Sequence, residues 1–124
     1  MSKLFKLEDV VSVVTGYFMS EDIGDIYAIL NYMTGDDLFT HQLPRAADAC
    51  RPSLIEQHPL LAQLDFDGLE LEEMRAKIEE VRPKTGNELW VSPLAEWEHK
   101  GAIRELTELV GEDRVIVLDV EGHA

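Results

Sequence analysis

The chain has 124 residues, which is enough for one domain with a modest hydrophobic core. Its 25 acidic residues outnumber 11 lysines and arginines, and the net charge of −14 disfavours direct binding to nucleic-acid phosphates or to anionic membranes. One cysteine excludes an internal disulfide, and no apolar run reaches the roughly 18–20 residues that span a bilayer, so the sequence predicts a cytoplasmic protein.

Two helices are predicted in the first third of the chain. Over residues 7–15 the apolar side chains fall on one helical face, although the valines there also suit a strand. The second helix, over about 21–33, is indicated by Ser20 as its N-cap, by a stripe of apolar residues and by Gly35 as its stop. The stripe consists of Ile23, Ile26, Leu30 and Met33.

Prolines organise the middle of the chain. Pro44 predicts the first turn of a helix that reaches about Cys50, because the first helical position needs no backbone N–H donor. Pro52 and Pro59 are then expected to break the chain into short helical pieces, since the residue before a proline avoids the helical conformation. Cys50 lies among alanines and is interpreted as a small buried residue rather than a reactive thiol.

The longest periodic segment, over residues 71–81, predicts a helix after an acidic loop at 65–68. Its apolar positions repeat in a pattern typical of a narrow coiled-coil seam, and Pro83 with Gly86 should end the helix. The seam consists of Leu71, Met74, Ile78 and Val81.

The last third of the chain changes character. Residues 1–86 are predicted to be mainly helical, whereas residues 87–124 have the pattern of a strand–helix–strand unit. The predicted strands are 88–92 and 114–119, and helical segments cover about 93–98 and 102–110. This order is typical of a right-handed parallel strand pair.

Two strands alone form only a marginal sheet, so a third is expected from residues 3–6, from residues 10–15 or from a second chain. The sequence therefore predicts a single, mostly helical α+β domain with a small sheet formed by its C-terminal strands. The segment 114–119 is nearly all apolar, and an exposed edge there would favour a homodimer.

The segment 33–46, MTGDDLFTHQLPRA, gathers polar side chains between two predicted helices. Because a helix start exposes backbone N–H groups, these side chains form the candidate binding site. They are Asp36, Asp37, Thr40, His41, Gln42 and Arg45. His41 could exchange protons and Arg45 could bind a carboxylate or phosphate, which keeps a small enzyme or nucleotide-binding module as an alternative. A structural role in capping the turn is a further interpretation.

No catalytic, metal or cofactor signature accompanies this segment. The loop 65–68, DFDG, has its glycine at the fourth position, whereas an EF-hand needs it at the sixth. The histidines lack metal-ligand spacing, and the glycines form no phosphate-binding loop. We therefore expect a protein that is not an enzyme and has neither metal nor cofactor. Trp90 and Trp97 are expected at the core or its rim, and either would suit a protein contact if exposed.

Three segments within residues 7–59 have a distinctive sequence: LEDVVSVVTG at 7–16, IGDIYAILNYMTGDDLFTHQLPRA at 23–46 and RPSLIEQHP at 51–59. Over these segments the chain resembles a family of small phage and prophage proteins of unknown function. Tyr17 stands where the family pattern often has an arginine. The resemblance implies a virus or an integrated element, where small acidic proteins often act by binding a host protein, and it implies no enzymatic activity.

These observations predict a small acidic phage- or prophage-type protein that binds a host protein in the host cytoplasm. That partner would be basic, for example a protein that handles nucleic acid or serves in host defence. Acids spread along the chain also serve solubility, so both roles of the charge stay open. The alternatives are the enzyme or nucleotide-binding module at 36–45 and a structural protein that dimerises through the 71–81 seam or a strand edge.

Overall fold

A computed structural model describes residues 2–97 of the chain. Over that range four helices enclose one hydrophobic core, and two short strands form a sheet beside them. Short 3₁₀ helices precede the third long helix at Thr40–Gln42 and follow it at Pro59–Gln63. The other elements are β1 (Lys3–Lys6), α1 (Leu7–Thr15), α2 (Ile23–Thr34), α3 (Leu43–Gln57), α4 (Leu71–Thr85) and β2 (Glu88–Val91). The predicted mostly helical α+β class is confirmed.

The valine-rich segment 7–15 is a helix, which settles the choice between helix and strand. Val10, Val11 and Val13 in α1 are all buried, and burial in a helical core outweighs their preference for strands. Gly16 ends α1 in the left-handed conformation with φ +82°, and its N–H donates to the carbonyl of Ser12 at 2.9 Å. α1 contacts all three other helices and both strands, so it forms the centre of the fold.

α2 begins at Ile23, and its N-cap is Asp22 rather than the predicted Ser20. Ser20 is buried and its hydroxyl donates to Asp9 Oδ1 of α1 at 2.6 Å. The hydroxyl of another serine, Ser12 in α1, accepts the N–H of Met19 at 2.8 Å. The sequence prediction was wrong about Ser20 because its hydroxyl finds a partner on the preceding helix.

α3 continues through Pro52, so the prediction that this proline breaks the helix was wrong. The neighbouring Cys50 and Leu54 are fully buried, whereas Pro52 faces solvent. Burial of the flanking turns therefore compensates for the backbone hydrogen bond that proline removes. Pro83 likewise lies inside α4, and that helix ends at Gly86 as predicted.

Three of the four seam positions in α4 face the core of the same chain. Met74, Ile78 and Val81 are buried, whereas Leu71 at the start of the helix is 51% exposed. The loop at 65–68, which precedes α4, is held against the core, because Phe66 is buried there and the Tyr17 hydroxyl donates to Asp67 Oδ1 at 2.9 Å. The seam is therefore an internal packing surface within residues 2–97.

β2 lies where the sequence predicts a strand, and its partner is β1, one of the sources considered for a third strand. The pair is antiparallel, with Lys3 opposite Val91 and Phe5 opposite Leu89. The segment 93–97 is irregular rather than helical, because Leu94 donates its N–H to the Met33 carbonyl at 2.9 Å. The predicted elements at 102–110 and 114–119, and the parallel strand pair, lie outside the described residues.

Side chains from the end of α3 cover the outer edge of the sheet at β2. The Gln57 amide accepts the N–H of Ser92 at 2.8 Å and donates to the carbonyl of the same residue at 3.3 Å. A ring nitrogen of His58 lies 2.7 Å from the carbonyl oxygen of Trp90. These contacts satisfy backbone groups that a neighbouring strand would otherwise pair with.

Candidate binding site

The start of the 36–45 segment is folded back onto the end of α2. The N–H of Asp36 donates to Thr34 Oγ1 at 3.1 Å, and Asp36 Oδ1 accepts the N–H of Asp37 at 3.1 Å. Leu38 is buried and donates its N–H to the side chain of Asn31 at 3.0 Å. Asp37 itself is exposed. The local turn is therefore built by short-range hydrogen bonds of the kind expected for Asp and Thr.

Two of the predicted site residues, Asp36 and Arg45, are brought together by Trp97. The indole Nε1–H of Trp97 donates to Asp36 Oδ2 at 3.0 Å. The guanidinium of Arg45 lies over the same indole, 4.1 Å from the ring centroid, which is a cation–π arrangement. Both side chains therefore hold Trp97, a contact that sequence reasoning did not anticipate because Trp97 is so distant in the chain.

Gln42 has an internal role. The residue is 3% exposed. Its side-chain Oε1 accepts the N–H of Phe39 at 2.8 Å, and its backbone N–H donates to the Phe39 carbonyl at 2.9 Å. The exposed ring of Phe39 lies 6.3 Å from the ring of His41, which is half-buried. The arrangement fixes the 3₁₀ turn that leads into α3.

Thr40 connects the segment to an apolar cavity. It is exposed, and its hydroxyl is hydrogen-bonded to the hydroxyl of Tyr27 on α2. Thr40, Leu43 and Pro44 together form one wall of the cavity. Of the six predicted site residues, Thr40 is the one that lines it.

This cavity, which we call the groove, has a volume of about 350 Å³ and opens to solvent between α1, α2 and α3. The volume lies in the range of about 300–1,000 Å³ that is usual for ligand-binding sites. Its walls are mainly apolar. They are formed by Ser12, Val13, Gly16, Phe18, Ile23, Ile26, Leu30, Thr40, Leu43, Pro44 and Ala47.

Two large apolar side chains stand exposed at the mouth of the groove. Phe18 is 52% exposed and Ile23 is 51% exposed. Sequence reasoning missed this surface, because Phe18 belongs to no periodic run and Ile23 fits the apolar stripe predicted for α2. The loop that joins these two residues also carries the exposed acids Glu21 and Asp22, and Glu21 lines the polar cavity described next.

A second cavity, of about 530 Å³, is polar and lies between the sheet and α4. Its central cation, Arg82, is hydrogen-bonded to Glu8, to Glu79 at 2.9–3.1 Å and to Asn87 at 2.9 Å. These hydrogen bonds raise the pKa of Arg82 and lower the pKa of Glu79. Asp9 also lines this cavity, and burial raises its pKa despite the hydrogen bond from Ser20. Of the seven charged residues that line this cavity, Arg82 and Glu8 are hydrogen-bonded to each other.

The described residues were also considered for a reactive thiol, a metal site and a membrane-spanning helix. Burial raises the pKa of the Cys50 thiol to about 12, so the thiol stays protonated at neutral pH. Among residues 2–97, no three side chains of His, Cys, Asp or Glu are grouped so that they could hold a metal ion. Every helix in the same range is too short or too polar to cross a lipid bilayer.

Comparison with known proteins identifies a domain of unknown function, DUF7736, at residues 5–64. No curated protein and no solved structure matches the chain. Every residue that lines the groove falls within residues 5–64, whereas α4 and β2 lie beyond that range. The matched domain therefore contains the whole groove and only part of the scaffold behind it.

Proposed function

We propose that this chain is a small acidic binding protein of phage or prophage type that acts on a host protein in the host cytoplasm and is not an enzyme. The partner is a basic protein, of the kind that handles nucleic acid or serves in host defence. The observation that carries the proposal is the groove, a solvent-open apolar surface beside the 36–45 segment.

The exposed side chains at the groove support a protein partner. Half-exposed Phe18 and Ile23 are held by the fold at one mouth of the groove, where they would lose solvent contact on binding. Burying a large apolar side chain contributes about 1.5–3 kcal/mol, so two such residues can anchor an interface. The exposed acids Glu21 and Asp22, in the loop that joins these two residues, would attract a basic partner.

The alternative of an enzyme or nucleotide-binding module at 36–45 has weaker support. Asp36 and Arg45, the carboxylate and the cation on which that alternative relies, both contact Trp97. A substrate would have to compete with the indole for both groups. Thr40, by contrast, lines the groove, so the segment borders the proposed binding surface.

Affinity capture from a bacterial lysate tests the proposal. The double variant Phe18→Ser/Ile23→Asn removes the apolar mouth, and both side chains are exposed enough for the fold to tolerate the change. Its matched control, Leu71→Ser/Trp90→Ser, removes two apolar side chains of similar exposure, 51% and 59%, that do not line the groove.

We expect a host protein that is retained by the wild type and by the control variant and is lost with the groove variant. Equal retention by all three proteins, or retention by none, would overturn the proposal. Circular dichroism of each variant establishes that loss of capture is not loss of fold.

We also propose that the protein forms a homodimer. The contacts of the described residues limit the surfaces through which two copies could pair. The 71–81 seam is occupied internally, and Gln57 with His58 cover the outer edge of β2. The opposite edge of the sheet belongs to β1. The N–H of Leu7 donates to Asn87, and in this register the backbone groups of Leu4 face away from β2. A second copy would pair there.

A further inference from the structure

A further cavity, which we call the edge pocket, lies between the outer edge of β2 and the ends of α3 and α4. It has a volume of about 360 Å³, is open to solvent and shares no lining residue with the groove. This volume is near the lower end of the range of about 300–1,000 Å³ that is usual for ligand-binding sites, so the pocket suits a small molecule. Its chemistry depends on Leu60, Lys84, Glu88, Leu89 and Trp90, all of which line it.

β2 offers one free backbone acceptor and one free backbone donor on this side. In an antiparallel pair the hydrogen-bonded positions alternate, and the N–H of Leu7 donates to the Asn87 carbonyl at 2.9 Å. The backbone groups of Glu88 and Trp90 therefore face away from β1. A ring nitrogen of His58 binds the Trp90 carbonyl at 2.7 Å. Within residues 2–97, nothing is hydrogen-bonded to the Trp90 N–H or to the Glu88 carbonyl.

The spacing of these two groups matches the main chain of one amino acid. In a parallel strand pair, a residue beside position i donates to the carbonyl of residue i−1 and accepts from the N–H of residue i+1. With Leu89 as position i, those groups are the Glu88 carbonyl and the Trp90 N–H. A free amino acid carries an ammonium donor and a carboxylate acceptor with this separation. A longer strand cannot continue along β2, because side chains from the end of α3 already bind the Trp90 carbonyl and the backbone of Ser92.

The charged residues of the edge pocket have the signs that an amino acid needs. Lys84 and Glu88 line it, and neither forms an ion pair within residues 2–97. Lys84 can therefore pair with a carboxylate, and Glu88 supplies negative charge for an ammonium. Lys6 lies opposite Glu88 in the register of the sheet, so the ligand's ammonium would share that carboxylate with one lysine.

The position beside Leu89 also specifies the side chain of the ligand. Paired residues of neighbouring strands place their side chains on the same face of a sheet. Leu89 faces the core and is 5% exposed, and partly buried Leu60 lines the pocket with it. An apolar side chain would lie against these two leucines and lose contact with water.

We propose that the edge pocket binds a free α-amino acid with an apolar side chain. The ammonium donates to the Glu88 carbonyl, and the carboxylate accepts the N–H of Trp90 and pairs with Lys84. The side chain packs against Leu60 and Leu89. This site is separate from the groove, so the proposal goes beyond the proposed function and does not depend on it.

Isothermal titration calorimetry with the full-length protein tests the proposal. The probes are L-leucine and L-phenylalanine, each compared with its N-acetyl derivative, which lacks the ammonium, and with its amide, which lacks the carboxylate. We expect at least one amino acid to bind, and both of its derivatives to bind about tenfold more weakly or worse, because each loses a charged hydrogen-bonding group. Binding of neither amino acid, or equal binding of an amino acid and its two derivatives, would overturn the proposal.

Two substitutions at one position separate the backbone donor from the indole. Trp90→Pro removes the outward N–H, and a proline is tolerated on an edge strand where that N–H has no partner in the sheet. It should weaken binding at least about tenfold. Trp90→Leu keeps the N–H and removes only a side chain that is 59% exposed, so its affinity should stay within about twofold of wild type. Equal effects of the two substitutions would refute the backbone contact.

A charge variant keeps the test decisive if circular dichroism shows that Trp90→Pro does not fold. Lys84→Gln should weaken binding about 1.4- to 5-fold, as expected for the loss of one exposed ion pair. Its matched control, Lys77→Gln, removes a lysine of the same helix that does not line the edge pocket and should leave affinity unchanged. Equal affinities of the two lysine variants would overturn the role of Lys84 and with it the proposed placement of the carboxylate.

Discussion

The contact between Arg45 and Trp97 gives the sharpest test of how the 36–45 segment is held. Replacing Arg45 by alanine removes a guanidinium that lies 4.1 Å from the centre of the indole ring. For a half-buried pair this cation–π contact contributes about 1–2 kcal/mol. Unfolding a protein of this length has an entropy of about 0.26 kcal/mol/K, so Arg45→Ala should lower Tm by about 4–8 °C.

The Asp36 hydrogen bond to the same indole provides a companion measurement. Asp36→Ala removes the acceptor of a 3.0 Å hydrogen bond and should lower Tm by about 4 °C, whereas Asp36→Asn keeps an oxygen acceptor and should cost less than half as much. His41→Ala should have little effect, because side chains that serve a binding site are usually not optimised for stability. Thermal unfolding followed by circular dichroism measures each change.

A double-mutant cycle with Trp97→Leu decides whether the indole is the cause. If Arg45 stabilises the fold through Trp97, the effect of Arg45→Ala should fall by at least half in the Trp97→Leu background, because the contact is already lost. An undiminished effect in that background would refute the argument. Large and equal losses from Arg45→Ala and His41→Ala in the wild-type background would instead make the whole segment structural.

Three further expectations follow from the described contacts. Because burial raises the pKa of Asp9, its contribution to stability is present below pH 3.8 and is lost as the pH rises through the raised value. The Tm of Asp9→Asn, which can still accept from Ser20, should therefore rise relative to wild type between pH 4 and 7; a constant difference would contradict this. Gln57→Ala removes two hydrogen bonds to Ser92 and should lower Tm by about 4–8 °C in thermal unfolding. Light scattering at micromolar concentration should give twice the 14.0 kDa chain mass, and Leu4→Pro should return the monomer; a wild-type monomer would exclude the dimer.

The helices were predictable because their apolar periodicity is local, whereas their ends depend on tertiary contacts. The seam positions Met74, Ile78 and Val81 illustrate the local signal. Their spacing alone identified them as an apolar seam on one helix, and all three are buried. The prolines Pro52 and Pro83 show the limit. A residue-level rule treats proline as a helix breaker, but packing of the adjacent turns carries both helices past it.

The sequence was enough to predict a polar segment at 36–45, but not the contacts that its side chains make in the folded protein. The residue types around Asp36 are enough to predict a turn with local hydrogen bonds. Asp36 also accepts a hydrogen bond from Trp97, which lies 61 residues away, and no sequence signal links the two residues. The groove depends on three helices at once, so no single stretch of sequence indicates it. Phe18 could have been noticed as a large apolar residue in a polar loop, but its neighbours across the groove could not.

The groove and the polar cavity differ in what it would cost to bind a ligand there. In the polar cavity Arg82 is already hydrogen-bonded to Glu8 and Glu79, so a ligand would have to break charged contacts or bury new charge beside them. The walls of the groove are mainly apolar and include no charged residue, so a ligand there would remove apolar surface from water without breaking a charged contact. The groove is also contained within the matched domain at residues 5–64. The charged hydrogen bonds of Arg82 thus make the polar cavity part of the scaffold, whereas the uncharged apolar walls are the reason why we propose the groove as the surface for a partner.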